Sequence, residues 1–208
     1  MGESTNQRQS EIAALRYGLD LGITLIDTAE MYAEGRAETM IAEAIAHRRS
    51  SVFLVSKIYP HHASRQGTIA ACEHSLQRLN TDYLDLYLLH WRRWIPLSET
   101  LEAFQTLKQA GKIREYGVSN FDVADMREAV ALPGGSEIAV NQVPYNLLRR
   151  EIEWDLLPWC RQQQIPVMAY SPVAHGRLLE HSGLQTFAQE RGATPAQVAM
   201  PGCCTRIT

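Results

Sequence analysis

Few cysteines occur, and none is arranged for binding. Cys72, Cys160, Cys203 and Cys204 contain no CxxC pair, and no histidine stands at zinc-ligand spacing from them. They read as free thiols of a reducing compartment, and no metal site is expected. No run approaches the ~18 apolar residues of a membrane span. Met1-Gly2-Glu3-Ser4 is polar and lacks a signal-peptide core. The expectation is therefore a cytoplasmic protein. A net charge of -3 gives no electrostatic reason for nucleic acid or an anionic membrane as partner. Nothing in the sequence encodes an oligomeric state.

With 45% hydrophobic residues over 208 positions, the chain can bury one sizeable core. Apolar residues at three- and four-residue steps predict helices over 10–21 and 36–47, and again around Ile69, Cys72, Leu76 and Leu79. Short apolar runs predict strands at 24–29, 52–57, 83–89, 113–118, 138–140 and 166–169. Ser98 and Asp122 are placed to cap helices, Gly22 and Gly111 to end them. Glu153 to Gln163 reads as a helix disturbed by Pro158. The strands end in polar residues about every 30 positions, the length of one βα unit. Strict alternation implies a parallel α/β sheet. No GxGxxG follows the first strand, and polar groups end six consecutive strands. Both features favour a barrel over a doubly wound sheet.

Three of those strands end in Asp27, Lys57 and His90, and Tyr32 follows the first by five residues. Each has a plain structural reading: Asp27 as a loop cap, Asp27 and Lys57 as an ion pair, His90 as a core imidazole. Their joint occurrence at successive strand ends points instead to chemistry.

Six motifs extend the pattern: Asp27-Thr28-Ala29-Glu30-Met31-Tyr32, Val55-Ser56-Lys57, Leu88-Leu89-His90-Trp91, Gly117-Val118-Ser119-Asn120-Phe121, Asn141-Gln142 and Ala169-Tyr170-Ser171-Pro172. In this order and spacing they resemble the aldo-keto reductases, and within that family the bacterial methylglyoxal and diketogluconate reductases. The resemblance implies a (β/α)8 TIM barrel, NADPH as cofactor with NADH left open, and a small aldehyde or ketone as substrate. It makes Asp27, Tyr32, Lys57 and His90 the catalytic tetrad. A phenol with a reference pKa near 10 needs help to act at neutral pH, and a nearby ammonium lowers that value. Tyr32 is thus expected as the acid, tuned by Lys57. Asp27 holds Lys57 charged, and His90 orients the carbonyl oxygen. By the same resemblance Ser119, Asn120 and Gln142 bind the nicotinamide amide, and Tyr170 stacks on its ring. The segment Ser171, Pro172, Val173 through Gly176 and Leu178 holds the pyrophosphate. Trp91 and Tyr59 line the substrate mouth, whereas Trp94, Trp154 and Trp159 are expected to pack on helices and loops. Glu30 and Glu34 have no partner pattern for glycoside hydrolysis.

Both ends depart from the family. The barrel is expected to be incomplete, lacking the first and eighth strands, with residues 1–200 forming the partial barrel. Thr194 and Pro195 open a helix that Pro201-Gly202 breaks. Residues 201–208 resemble nothing in the family and read as a frameshifted tail: one base restored after the Met200 codon gives a family-like Ala-Trp-Leu-Leu. Open strand edges near Ile26 and Val167, and weak or absent activity, are the expected consequences. The rival reading is a non-catalytic remnant with weak cofactor binding.

Overall fold

The computed structural model describes Gly2 and residues 5–200; the tail expected at 201–208 lies outside the described residues. The chain divides into two compact units, Met1–Ser119 with Glu128–Ala139, and Asn120–Arg127 with Val140–Thr208.

In the first unit, helices α1 (Arg8–Asp20), α2 (Arg36–Ala44), α3 (Arg65–Leu79) and α4 (Leu97–Gln109) alternate with strands β1 (Leu25–Asp27), β2 (Phe53–Ile58), β3 (Leu84–Leu89) and β4 (Ile113–Ser119). The strands pair in parallel in chain order. Asp27 stands opposite Val55, Lys57 opposite Leu88, and Leu88 opposite Gly117. This register brings the polar strand ends to one side. β3 is buried along its whole length, as an apolar strand covered on both faces must be. Phe104 of α4 stacks on Tyr116 and meets Tyr87 edge-on. Helix α5 (Val123–Ala131) runs from one unit into the other. β5 (Ile138–Pro144), α6 (Leu156–Gln162), β6 (Val167–Tyr170) and α7 (Ser182–Gln189) follow. β5 and β6 pair in parallel with Gln142 opposite Met168. The six predicted strands and their alternation with helices are all present. Among the described residues no helix is long and apolar enough to cross a membrane.

The helix ends show which local signals decide. Gly22 and Gly111 close α1 and α4 as expected. Both have positive φ, and the residue after each donates its N–H back to a carbonyl in the helix's last turn. Asp122 accepts from the Asp125 N–H at 2.8 Å and so caps α5. Thr194 and Gln197 exchange bonds at the start of helical residues 195–200. Ser98 does not cap: α4 begins one residue earlier, with Pro96 at its N-cap. Nor does Pro158 disturb α6. The helix starts only at Leu156, capped by Asp155, so the proline falls in the first turn, where its missing N–H has no intrahelical partner to lose.

At the opposite ends of the strands from His90, Asp85 is 2% exposed. Its carboxylate accepts from Arg49 at 2.8 Å, from Arg114 at 2.7 Å and from the Leu54 N–H at 2.9 Å. The two guanidiniums also lie over the Tyr83 ring. One buried anion thus ties the starts of β2, β3 and β4. Asp85→Ala should lower unfolding stability by about 2 kcal/mol, because it leaves the Leu54 amide without its acceptor and takes the carboxylate from Arg49, which keeps Thr81 and the Val52 and Tyr83 carbonyls. Urea titration checks this; a loss below about 1 kcal/mol would mean that solvent screening dominates.

Candidate active site

β1 ends at Asp27 and the chain leaves the sheet. It passes Thr28 and Ala29 and tightens into a short 3-10 turn, Tyr32–Gly35, in which Ala33 and Glu34 take left-handed backbone angles. That turn places Tyr32 over the end of β2. There Lys57, the fifth residue of the strand, is 0% exposed. Its ammonium donates to Asp27 Oδ2 at 2.8 Å and to the Thr28 carbonyl at 2.8 Å, and it stands 3.4 Å from the Tyr32 hydroxyl. His90 follows β3, and its ring centroid is 5.7 Å from that of Tyr32. Asp27 and Tyr32 therefore meet around the Lys57 nitrogen, and His90 stands beside Tyr32.

Burial sets the protonation states. It pushes the Tyr32 phenol up to about 12, and the Asp27 carboxylate adds to the rise. The expectation that Lys57 would pull the phenol down is not met. Asp27 lies closer to the ammonium than the hydroxyl does and offsets its charge, so desolvation wins. Lys57 itself is lowered by burial, against the attraction of Asp27. His90 is lowered to about 4, first by burial and then by the Lys57 charge. Near neutral pH the site thus holds a protonated phenol, a carboxylate-paired amine and a neutral imidazole.

A wall of rings adjoins it. His90 lies 4.8 Å from Trp91, Trp91 lies 5.5 Å from Tyr59, and Tyr59 lies 4.5 Å from His61. Trp91 thus sits beside His90, and Tyr59 beside Trp91. His61 joins them as a residue that sequence reasoning missed, since a single histidine in a loop carries no pattern. Trp94 and Trp154 are 71% and 86% exposed, and Trp94 packs against the His61 ring and Arg93. Trp159 is half-buried.

Most of the proposed cofactor residues lie in the second unit. Asn120 donates its N–H to the Gln142 carbonyl at 2.8 Å, and its side-chain oxygen accepts from the Tyr170 hydroxyl at 2.8 Å. The Gln142 amide reaches the Met168 sulfur. Ser119, in the first unit, ends β4 and is buried. Ser171, Ala174, His175 and Gly176 all have positive φ, which gives the segment a tight, irregular course. A Cβ at Gly176 would meet nothing within 4 Å, so space in front of this turn is open. Amide-bearing side chains that both donate and accept, beside an open turn of exposed backbone, fit a carboxamide and a phosphate group. Leu178 differs in its side chain, which is buried with Ala174 and Ala199; its N–H, like that of Gly176, goes to the Val173 carbonyl. Val173 packs on the same cluster, and Pro172 is half-buried.

The sequence profile of the Aldo/keto reductase family matches residues 1–201. The chain is 56% identical over 205 residues to methylglyoxal reductase YeaE of Escherichia coli K12, covering 96% of this chain and 72% of that protein. Methylglyoxal reductase DkgB of Escherichia coli O157:H7 is 32% identical, with coverage of 91% and 71%. The crystal structure of an aldo/keto reductase from Klebsiella pneumoniae in complex with NADP and acetate superposes with a TM-score of 0.93. It shares 54% identity and covers 96% of this chain and 72% of that one.

The depressed His90 has a consequence for stability. In the unfolded chain the imidazole takes up a proton near pH 6.5, in the folded chain only near pH 4. Between those values the unfolded state binds the extra proton, so stability falls as pH falls across that window. His90→Asn should lose about 2 kcal/mol less than the parent on acidification from pH 7 to 4, allowing for partial solvent access. Urea midpoints at the two pH values test it, and equal losses in both proteins would refute a buried neutral imidazole.

Proposed function

The chain belongs to the aldo/keto reductase family, and from that premise we propose that it reduces small aldehydes and ketones of the methylglyoxal type with NADPH. The observation that carries the reading is the convergence of Asp27, Tyr32 and the Thr28 carbonyl on the Lys57 ammonium, with His90 alongside. The names of its relatives supply the substrate class, and the Klebsiella complexes with NADP and NADPH supply the cofactor.

When bound, the nicotinamide supplies a hydride. Ser119, Asn120 and Gln142 would hold its carboxamide, Tyr170 would stack on its ring, and the turn through Ser171 and Gly176 would hold the pyrophosphate. Everything else falls to the tetrad. Neutral His90 carries one N–H, which can donate to the carbonyl oxygen and fix its direction. Tyr32 stays protonated at neutral pH and gives its proton to that oxygen as the carbon accepts the hydride. The phenolate left behind has an ammonium 3.4 Å away, and that charge becomes stabilising only once the proton has gone. Asp27 keeps the ammonium in place. Trp91 and Tyr59 would border the substrate.

A second reading, a non-catalytic remnant, is favoured by one observation. Ile23, two residues before β1, and Leu25, its first residue, are 63% and 45% exposed, an apolar surface ill suited to a free-standing enzyme. The two readings separate in one assay. Folded chain should oxidise NADPH with methylglyoxal, and Tyr32→Phe should cut turnover at least ~100-fold. Folded protein without turnover would establish the remnant, and turnover that survives Tyr32→Phe would remove the phenol from the mechanism.

A further inference from the structure

All three hydrogen-bond acceptors around the Lys57 ammonium, Asp27, Thr28 and Tyr32, come from one stretch of six residues. That stretch starts at the last residue of β1 and runs off the sheet ladder before it reaches Tyr32. The ladder bonds that follow the strand are Thr28 N–H to the Val55 carbonyl at 2.9 Å and Glu30 N–H to the Lys57 carbonyl at 3.3 Å. The next rung would come from Tyr32, but its N–H turns back to the Ala29 carbonyl at 3.0 Å. The Glu30 side chain continues the tie instead. Its Oε1 accepts from the Tyr59 N–H at 2.6 Å and contacts His62 Nδ1 at 3.1 Å. The side chain is only 11% exposed, so the bond is little diluted by water.

We propose that Glu30 is a positioning residue that pins the Tyr32 stretch to the strand carrying Lys57, replacing the missing rung with a carboxylate. The geometry is symmetric in the chain: Glu30 lies two residues before Tyr32, and Tyr59 two residues after Lys57. One bond therefore sets the separation of phenol and amine from both sides. It also fixes Tyr59, whose ring meets Trp91 at 5.5 Å. A bond to a charged acceptor is shorter and stronger than a neutral one, which suits a single contact that must stand in for a strand pair. The proposal rests on the reading above only in calling Tyr32 and Lys57 catalytic.

Its test needs no turnover. The chain has three lysines, Lys57, Lys108 and Lys112, and the side chains of the last two are 31% and 36% exposed. Nitrogen-detected NMR of labelled lysine should give a slowly exchanging ammonium for Lys57 alone. Glu30→Ala should speed that exchange at least ~10-fold, because it releases Tyr32 from over the ammonium while Asp27 and Thr28 stay on the ladder. Glu30→Gln keeps an oxygen for the Tyr59 N–H and should stay within about threefold of the parent. Glu34→Ala, at a side chain 87% exposed, should change nothing. Backbone exchange at Leu88 and Val118 should stay constant, which separates positioning from general loosening. Unchanged Lys57 exchange in Glu30→Ala, equal acceleration in Glu30→Gln, or parallel acceleration at Leu88 would each overturn the proposal. If Glu30→Ala does not fold, Glu30→Asp decides. Its carboxylate falls one methylene short of Tyr59, so acceleration supports the pin and an unchanged rate refutes it. Failure of the NADPH assay would leave this exchange result standing, and failure here would leave that assay standing.

Discussion

A buried ammonium must be surrounded by acceptors, and around Lys57 that requirement shapes everything nearby. At 0% exposure an unpaired charge would cost several kcal/mol. The protein meets the demand with Asp27, the Thr28 carbonyl and the Tyr32 hydroxyl. The sheet holds Asp27 and Thr28 there, and the irregular turn after β1, with its left-handed Ala33 and Glu34, accompanies the return of Tyr32 to the same point. The backbone there is unusual because the amine needs company that a regular strand could not provide.

The sheet makes this arrangement possible. Parallel pairing in chain order places successive strand ends side by side, so residues about 30 apart in sequence become neighbours. The two ends of the strands then divide the work. Asp85 and its arginines tie the starts of β2, β3 and β4 with strong pairs remote from Lys57. The other ends carry side chains whose protonation states matter more than their contribution to stability.

Much of this was legible in the sequence, for a physical reason. A strand covered on both faces must be apolar, so a polar residue at its end stands out, as Asp27, Lys57 and His90 do. Asp122 and Thr194 were legible as caps because the groups they satisfy lie within three residues. Ser98 and Pro158 misled because a shift of one or two residues in a helix start changes what either residue does. The rise of the Tyr32 phenol was beyond reach altogether. Sequence shows which charges are near, but the balance between Lys57, Asp27 and desolvation depends on distances and burial. Glu30 was hidden likewise: its partner is a backbone amide 29 positions away, and no side-chain pattern records that. Leu178 matched a motif, yet its side chain belongs to the core of its own unit.

Burial and then the Lys57 charge depress His90, and Asp27 holds that lysine in place. A proton placed on His90 near neutral pH would set a second cation beside a buried ammonium, which burial already resists. The imidazole therefore stays neutral and can serve as a hydrogen-bond donor without competing with Tyr32 as the acid. The phenol, raised rather than lowered, keeps its proton in the free protein. In the proposed reaction the proton would leave only as negative charge grows on the substrate oxygen and makes that oxygen the stronger base. On the proposed mechanism, burial that would disable an isolated tyrosine is turned to use by one buried amine, and charge complementarity is spent where charge develops rather than on the resting state.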